Sequence, residues 1–182
     1  TREEMERLSA LVKKHDLFLI SDEVYREFAY GGVEVTSALQ LPIADERVIV
    51  VDSVSKRYSA CGARVGFTIT KSPALQNAIM RMGFARLCPA TVDQLACIAA
   101  YQTPPSYFDD VRAEYTRRRD TLVTGLNAIE GVSSYTPEGA FYTVATLPVA
   151  DADHFAQWLL TDFEHEKETV MVAPASGFYG TP

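Results

Sequence analysis

The sequence lacks an excess of positive charge. It has 17 Lys and Arg residues against 24 Asp and Glu residues, which gives a formal net charge of −7. Nucleic acids and anionic membranes attract proteins through basic patches. We therefore expect no nucleic-acid partner and no membrane partner, and any anion-binding site must be local. The three arginines at 117–119 fit a solvated helix face better than a nucleic-acid patch.

Cysteine and histidine are scarce too. The three cysteines, Cys61, Cys88 and Cys97, contain no C-x-x-C pair and cannot all pair with one another. This pattern favours reduced thiols in a reducing compartment. The three histidines lack the spacing of metal ligands and have no cluster of cysteines or carboxylates around them in the sequence. The sequence therefore predicts no metal site.

Long apolar runs are also missing. No run approaches the roughly 20 residues that a membrane-spanning helix needs, and the first residues show no secretory signal pattern. With 47% hydrophobic and 23% charged residues, the composition is that of a globular protein rather than a disordered one. We expect a cytoplasmic protein. We also expect a piece of a longer chain, because residue 1 already lies in a helical pattern and residues 173–182 lie in a Gly/Pro-rich loop.

The first part of the chain has the pattern of an α/β sheet. Thr1 and Glu4 form a capping box ahead of a helix that continues to about His15. Short apolar runs at 17–20, 48–51 and 65–70 predict strands covered on both faces. The first two runs end in polar residues, as in open α/β sheets, where ligands bind outside the carboxyl ends of the strands. We therefore expect Asp22 and Lys56 to face one crevice.

The rest of the chain has a different order of predicted elements. Helices are predicted from Ser72-Pro73 onward, over 91–101, and over 106–130 as a long amphipathic connector. The remaining segments predict a β-β-α-β unit, with strands at 132–135 and 140–147, a helix at 153–164 and a strand at 169–172. The predicted fold class is α/β: the C-terminal part of a mostly parallel large-domain sheet with flanking helices (1–105), the connecting helix (106–130) and a smaller α+β domain (131–182).

The segment 52–66, with the sequence DSVSKRYSACGARVG, carries the chemistry. Lys56 follows a predicted strand, with Ser53 and Ser55 before it and Arg64 after it. A lysine amine can act as a nucleophile and form a Schiff base when it lies close to a carbonyl group. Hydroxyl and guanidinium groups are the donors that hold a phosphate. This combination points to an aldehyde cofactor that carries a phosphate group.

Four motifs in order resemble one enzyme family. They are the DEVY sequence at 22–25, the SVSK…GARVG pattern at 53–66, the PEGAFY sequence at 137–142 and the APASG sequence at 173–177. Together they resemble the class I/II aminotransferases, which are pyridoxal-phosphate enzymes of fold type I. The resemblance covers the whole chain in the right order, whereas any one of these motifs alone is weak.

The resemblance implies roles for six residues. Lys56 is the catalytic residue, which forms a Schiff base with pyridoxal 5′-phosphate and moves a proton during transamination. Asp22 pairs with the pyridine nitrogen, and Tyr25 donates a hydrogen bond to the 3′-oxygen of the ring. The phosphate is bound by Ser53, Ser55 and Arg64. Lys56 and these five form the predicted cofactor site, and the substrates are an amino acid and a 2-oxo acid.

Other functions remain open at this point. A lyase or synthase of the same fold, for example a carbon–sulfur lyase, shares the same cofactor residues. Aminotransferase-like domains also serve as non-catalytic sensors in transcription regulators, and a remnant unable to bind the cofactor is a third alternative. The family usually works as a homodimer. We expect negligible turnover from these 182 residues alone, because the family's remaining cofactor contacts and its substrate-clamping arginine lie outside them.

Overall fold

A three-stranded sheet organises the first part of the chain. In a computed structural model, which describes residues 1–178, strand β1 (Leu19–Asp22) runs parallel to β2 (Val48–Ser53). Strand β3 (Gly66–Ile69) pairs with the other side of β2 and runs antiparallel to it. Mixed sheets of this kind are common in α/β folds. Because β1 and β2 are parallel, their polar carboxyl ends lie at the same edge of the sheet.

The three strands predicted for this sheet are all present, but their ends and their burial differ from the prediction. Strand β1 begins at Leu19 rather than at residue 17, since hydrogen bonding to β2 decides where it starts. The expectation that these strands are covered on both faces is wrong for the described residues. In β2 the exposure alternates, with Val48 and Val50 buried and their neighbours half-buried, and Ile20 of β1 is 66% exposed. One face of the sheet therefore carries more of the packing than the other.

Two apolar clusters support the sheet. The first joins one face of β2 to the N-terminal helix and the 36–44 region, through Val12, Ala38, Leu41, Ile43, Ala44, Val48 and Val50. The second lies beside the segment after β2 and contains Val54, Val65 and Cys97, with Tyr58 and Phe67 packed against them. Burial of this apolar surface is the main favourable contribution to folding. The second cluster is the one that supports the turn containing Lys56.

The helix predictions for the first part are confirmed. Helix α1 (Arg2–Lys14) has the complete capping box between Thr1 and Glu4. Two four-residue helices flank β2, namely α2 (Ala44–Arg47) and α3 (Val54–Arg57). Helix α4 (Pro73–Arg86) begins after the N-cap Ser72, and α5 covers Thr91–Ala100. Short 3₁₀ turns lie at Ala38–Gln40, Cys61–Ala63 and Ala175–Phe178.

The long helix is present, with different ends. Ser106 is a residue type that favours the N-cap, but helix α6 covers Ser106–Asn127, so Ser106 is its first helical residue, and the turn at Gly131 follows with a φ of 77°. The amphipathic pattern predicts an apolar stripe that includes Leu122, Leu126 and Ile129, and this prediction is only partly right. Val123 is buried, whereas Leu122 is 53% exposed. Packing around the helix rather than the spacing of its apolar residues decides which side is covered.

The last part of the chain is less regular than predicted. Strands β4 (Ser133–Ser134) and β5 (Ala145–Thr146) form a two-residue antiparallel ladder, and α7 covers Ala152–Thr161. Residues 169–172 do not form the predicted strand. A strand needs a neighbour to accept its backbone hydrogen bonds, and within residues 1–178 this segment pairs with no strand, while Met171 is 80% exposed.

The described chain divides into two compact units. The first contains residues 1–120 and 137–142, and the second contains 121–136 and the residues from 143 onward. The division lies inside α6, so the predicted assignment of 1–105, 106–130 and 131–182 to a large domain, a connector and a small domain stays a prediction. The α/β fold class is confirmed. Across residues 1–178, no helix has the length and apolar character to cross a membrane, and no group of three metal-ligating side chains is found.

Candidate active site

The segment carrying Lys56 folds through a serine cap. Ser53 lies at the carboxyl end of β2 and is the N-cap of α3, with its Oγ accepting a hydrogen bond from the Ser55 backbone N–H at 3.0 Å. The same Oγ lies 2.7 Å from the Ser55 Oγ and 2.9 Å from the Val65 carbonyl oxygen. These bonds tie α3 to the residues just before β3. The two predicted phosphate-binding serines are therefore adjacent, with their hydroxyls in contact.

Lys56 is half-buried and lies against two aromatic rings. Its Nζ atom is 5.9 Å from the ring centroid of Tyr25 and 5.8 Å from that of Phe141. A cation at this distance from a ring face is attracted by the negative face of the π-system. The structure thus brings Lys56 and Tyr25 together as predicted. Phe141 is a site residue to which sequence reasoning gave no role of its own.

The two rings beside this amine belong to a larger aromatic group. Tyr25 makes edge contacts with Phe28, Phe141 and Tyr142, at centroid separations of 6.3, 5.2 and 5.5 Å. Tyr115 of α6 packs on Phe141 at 5.3 Å. Edge-to-face and tilted pairs of this kind add stability beyond the area they bury. These contacts support the two rings that lie against Lys56.

Backbone contacts hold the segment 137–142 in this position. Tyr30 donates from its hydroxyl to the Ala140 carbonyl at 2.6 Å and from its backbone N–H to the Glu138 carbonyl at 2.9 Å. Ala29 and Gly139 form an isolated antiparallel bridge. Burial raises the pKa of the Tyr30 hydroxyl, which keeps it protonated as a donor. Phe141 reaches Lys56 because the segment is fixed to residues 29–30.

Arg119 contributes to the same attachment. Its Nη1 donates to the Pro137 carbonyl at 3.2 Å, and its guanidinium carbon lies 4.9 Å from the ring centroid of Tyr30. The expectation of a purely solvated arginine face at 117–119 is therefore wrong for Arg119, whose side chain is only 18% exposed. Arg118 fits the expectation, since it is exposed and pairs with Glu114. The two arginines differ in exposure because they lie on different sides of α6.

Asp22 is the last residue of β1 and is exposed. Its Oδ1 accepts a hydrogen bond from the Val24 backbone N–H at 3.1 Å, which closes a local turn after the strand. In the sheet register Asp22 pairs with Val51, two positions before Ser53. Asp22 thus lies at the edge of the sheet from which the Lys56 segment leaves, as the strand pattern predicts.

Glu23 is buried beside this edge. Its Oε1 accepts hydrogen bonds from the Ala38 backbone N–H at 2.8 Å and the Ser37 hydroxyl at 3.0 Å. Its Oε2 is buried without a hydrogen-bond partner in residues 1–178. Glu23 therefore anchors the 37–38 loop against the strand end that carries Asp22.

Arg64, the predicted phosphate-binding arginine, has a left-handed backbone with φ 54° and ψ 36°. A residue other than glycine in this region is uncommon and carries backbone strain. The Arg64 side chain is exposed, and its Nη1 donates to the Cys61 carbonyl at 2.9 Å. Arg64 directly precedes Val65, whose carbonyl accepts a hydrogen bond from the Ser53 hydroxyl. Such strain is typical of functional loops.

The sequence as a whole matches a family of known proteins. Residues 1–178 match the family described as aminotransferase class I and II. The chain belongs to this family. The resemblance stated from the motifs is thereby confirmed, and the α/β architecture around Lys56 is that of an aminotransferase of fold type I.

Individual aminotransferases agree over most of the chain. The aspartate aminotransferase of Bacillus subtilis (strain 168) is 31% identical over 190 residues, covering 100% of this chain and 47% of the relative. The putative aminotransferase YugH of the same organism is 32% identical and covers 98% and 45%, respectively. This aminotransferase chain therefore spans less than half the length of these relatives.

Solved aminotransferase structures share the fold. A double mutant of the Thermus thermophilus aspartate aminotransferase matches with a TM-score of 0.83 and 28% identity, over 98% of this chain and 45% of that chain. The alanine aminotransferase from Pyrococcus furiosus matches with a TM-score of 0.77 and 30% identity, over 88% and 42%.

A buried ion pair beside Lys56 was not predicted from the sequence of this aminotransferase-family chain. Arg57 and Asp52 lie 2.6 Å apart, between Nη2 and Oδ2, with side chains that are 2% and 5% exposed. The spacing of five residues is not a helical pairing distance, and it becomes a contact only because a strand ends and a short helix begins between them. Buried charges of this kind are rare unless paired. A cation directly after the lysine is the one sequence signal that could have drawn attention to it.

Proposed function

We propose that the full-length protein is a pyridoxal-phosphate-dependent aminotransferase that exchanges the amino group between an amino acid and a 2-oxo acid. One observation carries the proposal. Lys56 follows a strand at the polar edge of the sheet, with its amine against the rings of Tyr25 and Phe141 and with two hydroxyls immediately before it. Membership of the aminotransferase family supports the same conclusion.

The donor set fits the proposed cofactor. A primary amine suits an aldehyde, a carboxylate suits a protonated ring nitrogen, and hydroxyls with a guanidinium suit a phosphate. Two adjacent parallel strands end in Asp22 and Ser53, and α3, which follows the second strand, contains Ser55 and Lys56. The carboxylate, the hydroxyls and the amine therefore follow the carboxyl ends of neighbouring strands. Arg64 follows on the loop that the Ser53 hydroxyl binds through Val65. The chain therefore has groups for three parts of the cofactor.

Each residue has a separate task in the proposed reaction. When bound, pyridoxal phosphate supplies an electron sink for the bonds at the substrate's α-carbon. Lys56 holds the cofactor covalently through Nζ and later moves a proton as a general base and acid. Asp22 keeps the ring nitrogen protonated by its negative charge, and Tyr25 donates a hydrogen bond to the ring oxygen. Ser53, Ser55 and Arg64 hold the phosphate and so fix the orientation of the ring.

The finer features of the function are part of the same proposal. The full-length protein is proposed to act in the cytoplasm as a homodimer, and the 182 residues alone are proposed to turn over negligibly. Relatives are named for aspartate, and solved neighbours for alanine or aromatic amino acids. These names do not agree on one amino acid, so the proposal extends to the reaction and not to one substrate.

Half-reactions on the full-length protein test the proposal. Purified protein with pyridoxal phosphate is mixed with one amino acid at a time, and the matching 2-oxo acid and the aminated cofactor are quantified. Stoichiometric formation of both, with regeneration by a second 2-oxo acid, is the expected result. Release of pyruvate and ammonia without an acceptor would instead indicate a carbon–sulfur lyase. Cofactor binding without either reaction would indicate a sensor.

A further inference from the structure

Asp52 and Arg57 form a buried ion pair next to Lys56. The Oδ2 and Nη2 atoms are 2.6 Å apart, and both side chains are almost fully buried. For a buried pair the cost of removing two charges from water offsets much of their mutual attraction, so such pairs contribute little net stability. The pair is nevertheless expensive to break from one side, because the remaining charge stays buried. Its main consequence is therefore a fixed geometry.

The pair brackets the segment that carries the amine. Asp52 lies in β2, and Arg57 is the last residue of α3, directly after Lys56. The Asp52 Oδ1 accepts a hydrogen bond from the Ser53 backbone N–H at 2.7 Å, while its Oδ2 binds Arg57. One carboxylate thus holds the first and the last residue of the segment 53–57.

Arg57 is also attached to the neighbouring helix. Its guanidinium carbon lies 5.9 Å from the ring centroid of Tyr101, just after α5, and Tyr58 packs on the same ring at 5.6 Å. Burial raises the pKa of both tyrosine hydroxyls above the ordinary value. The Arg57 Nε is buried without a hydrogen-bond partner in residues 1–178. Asp52 is therefore the carboxylate that compensates the charge of Arg57.

We propose that Asp52 and Arg57 are positioning residues that hold the Lys56 amine against the rings of Tyr25 and Phe141. The proposal rests on the proposed role of Lys56. Without the ion pair, α3 keeps the Ser53 cap and the apolar contacts of Val54 with the second cluster, but the carboxylate that binds both ends of the segment 53–57 is lost, and a helix of four residues has little stability of its own. The Lys56 amine then samples orientations in which it no longer lies against the rings of Tyr25 and Phe141. Small displacements of a reacting group lower its efficiency steeply.

The test uses the full-length protein with four variants. Asp52→Asn keeps the acceptor for Ser53 and removes the charge, Arg57→Met removes the cation, and Arg57→Lys retains it. Thr70→Val is the matched control. Thr70 is buried and its hydroxyl donates to the Val48 carbonyl at 2.7 Å, at the opposite end of β2 from Lys56. The Thr70→Val variant is expected to lower the free energy of unfolding through a change beside the same sheet, with no change in the contacts of the segment 53–57.

Three quantities are measured for each variant. Urea unfolding gives the stability, and amide hydrogen exchange of the peptide covering residues 54–65 reports the order of the segment without any cofactor. Borohydride trapping gives the pyridoxal-phosphate concentration at which half of Lys56 is modified. We expect Asp52→Asn and Arg57→Met to speed the exchange and to raise that concentration by roughly tenfold or more. Arg57→Lys recovers most of both effects.

The control decides between positioning and general destabilisation. If Thr70→Val, compared at equal loss of stability, changes the exchange of residues 54–65 and the trapping as much as the ion-pair variants do, the positioning role is wrong. It is also wrong if Asp52→Asn, which is nearly isosteric and the more readily folded variant, changes neither quantity. Absence of trapping at Lys56 in the unmodified protein would overturn the proposed function, while the exchange data would still decide the role of the ion pair.

Discussion

The Nζ atom of Lys56 lies 5.8 Å from the ring centroid of Phe141, a residue of the segment 137–142 that is bonded to residues 29–30. The amine thus depends on a ring that is distant in the chain. Tyr25 contacts the same ring at 5.2 Å, so Phe141 supports both the amine and the predicted partner of the cofactor's ring oxygen. Phe141 is therefore, with Tyr25, one of the two rings of the aromatic group that contact the Lys56 amine.

Replacing Phe141 by leucine tests that relationship. Phe141 contacts Tyr25, Phe28 and Tyr115, and each aromatic pair adds about 0.5–1.5 kcal/mol. We expect Phe141→Leu to lower the free energy of unfolding by about 1–2 kcal/mol and to weaken cofactor binding. Urea unfolding and a cofactor titration measure the two effects. Phe178→Leu is the control, since Phe178 is 77% exposed; equal effects of the two variants would show that the aromatic group has no special role.

The serine cap makes a second prediction. Ser53→Ala removes the N-cap of α3, at a cost of about 1 kcal/mol. It also removes a hydroxyl proposed to bind the phosphate. Hydrogen bonds to charged groups are stronger than neutral ones, so cofactor affinity should fall about tenfold. Unfolding and equilibrium binding of pyridoxal phosphate are measured on the full-length protein.

Ser72→Ala provides the comparison for the cap itself. Ser72 is the N-cap of α4 and accepts a hydrogen bond from the Leu75 backbone N–H. This variant loses a cap of the same type on another helix. It should lower stability and leave the cofactor affinity unchanged. If Ser53→Ala and Ser72→Ala weaken cofactor binding to the same extent, the phosphate role of Ser53 is wrong.

Asp22→Asn separates binding from chemistry. The amide oxygen of asparagine still accepts from the Val24 backbone N–H, so the turn after β1 is retained. The negative charge beside the ring nitrogen is lost. We expect the cofactor to remain attached to Lys56 while the transamination rate falls on the order of 100-fold. Asp45→Asn, at an exposed residue paired with Lys71, is the control for removing a surface charge. An Asp22 variant with full activity would contradict the assignment.

Much of the local structure follows from the sequence because it depends on neighbouring residues. The Thr1–Glu4 capping box and the Ser72 cap are set within one helical turn, and both are present. The adjacency of Ser53 and Ser55 is local as well. The edge position of Asp22 also follows, since parallel strands end on the same side of a sheet.

Features that depend on distant residues could not be read in the same way. The start of β1 is decided by its pairing with β2, and residues 169–172 lack a strand to pair with in the described part of the chain. The Asp52–Arg57 contact requires a particular turn geometry. Phe141 reaches Lys56 only because Tyr30 holds the Ala140 carbonyl. The identity of these residues is visible in the sequence, whereas their proximity is not.

Alkaline pH should destabilise the fold through the half-buried Tyr58. Burial raises the pKa of Tyr58 above the ordinary value of 10.0. A group whose pKa is raised on folding contributes stability that is fully present below its unfolded pKa and lost as the pH rises through its folded pKa. Stability should therefore fall above pH 10.0, and Tyr58→Phe should reduce the size of that fall. Urea unfolding at several alkaline pH values measures it, and identical profiles for the two proteins would contradict the prediction.

The covalent attachment of the cofactor to Lys56 is the central claim. Full-length protein is incubated with pyridoxal phosphate, reduced with borohydride, digested and mapped by mass spectrometry. Lys56→Ala serves as the negative control, and Lys71→Ala, at an exposed lysine, as the matched lysine variant. The account predicts a stoichiometric pyridoxyl group on Lys56 in the unmodified protein and in Lys71→Ala, and none in Lys56→Ala. An unmodified Lys56, or an adduct that persists in Lys56→Ala at the same yield, would contradict it.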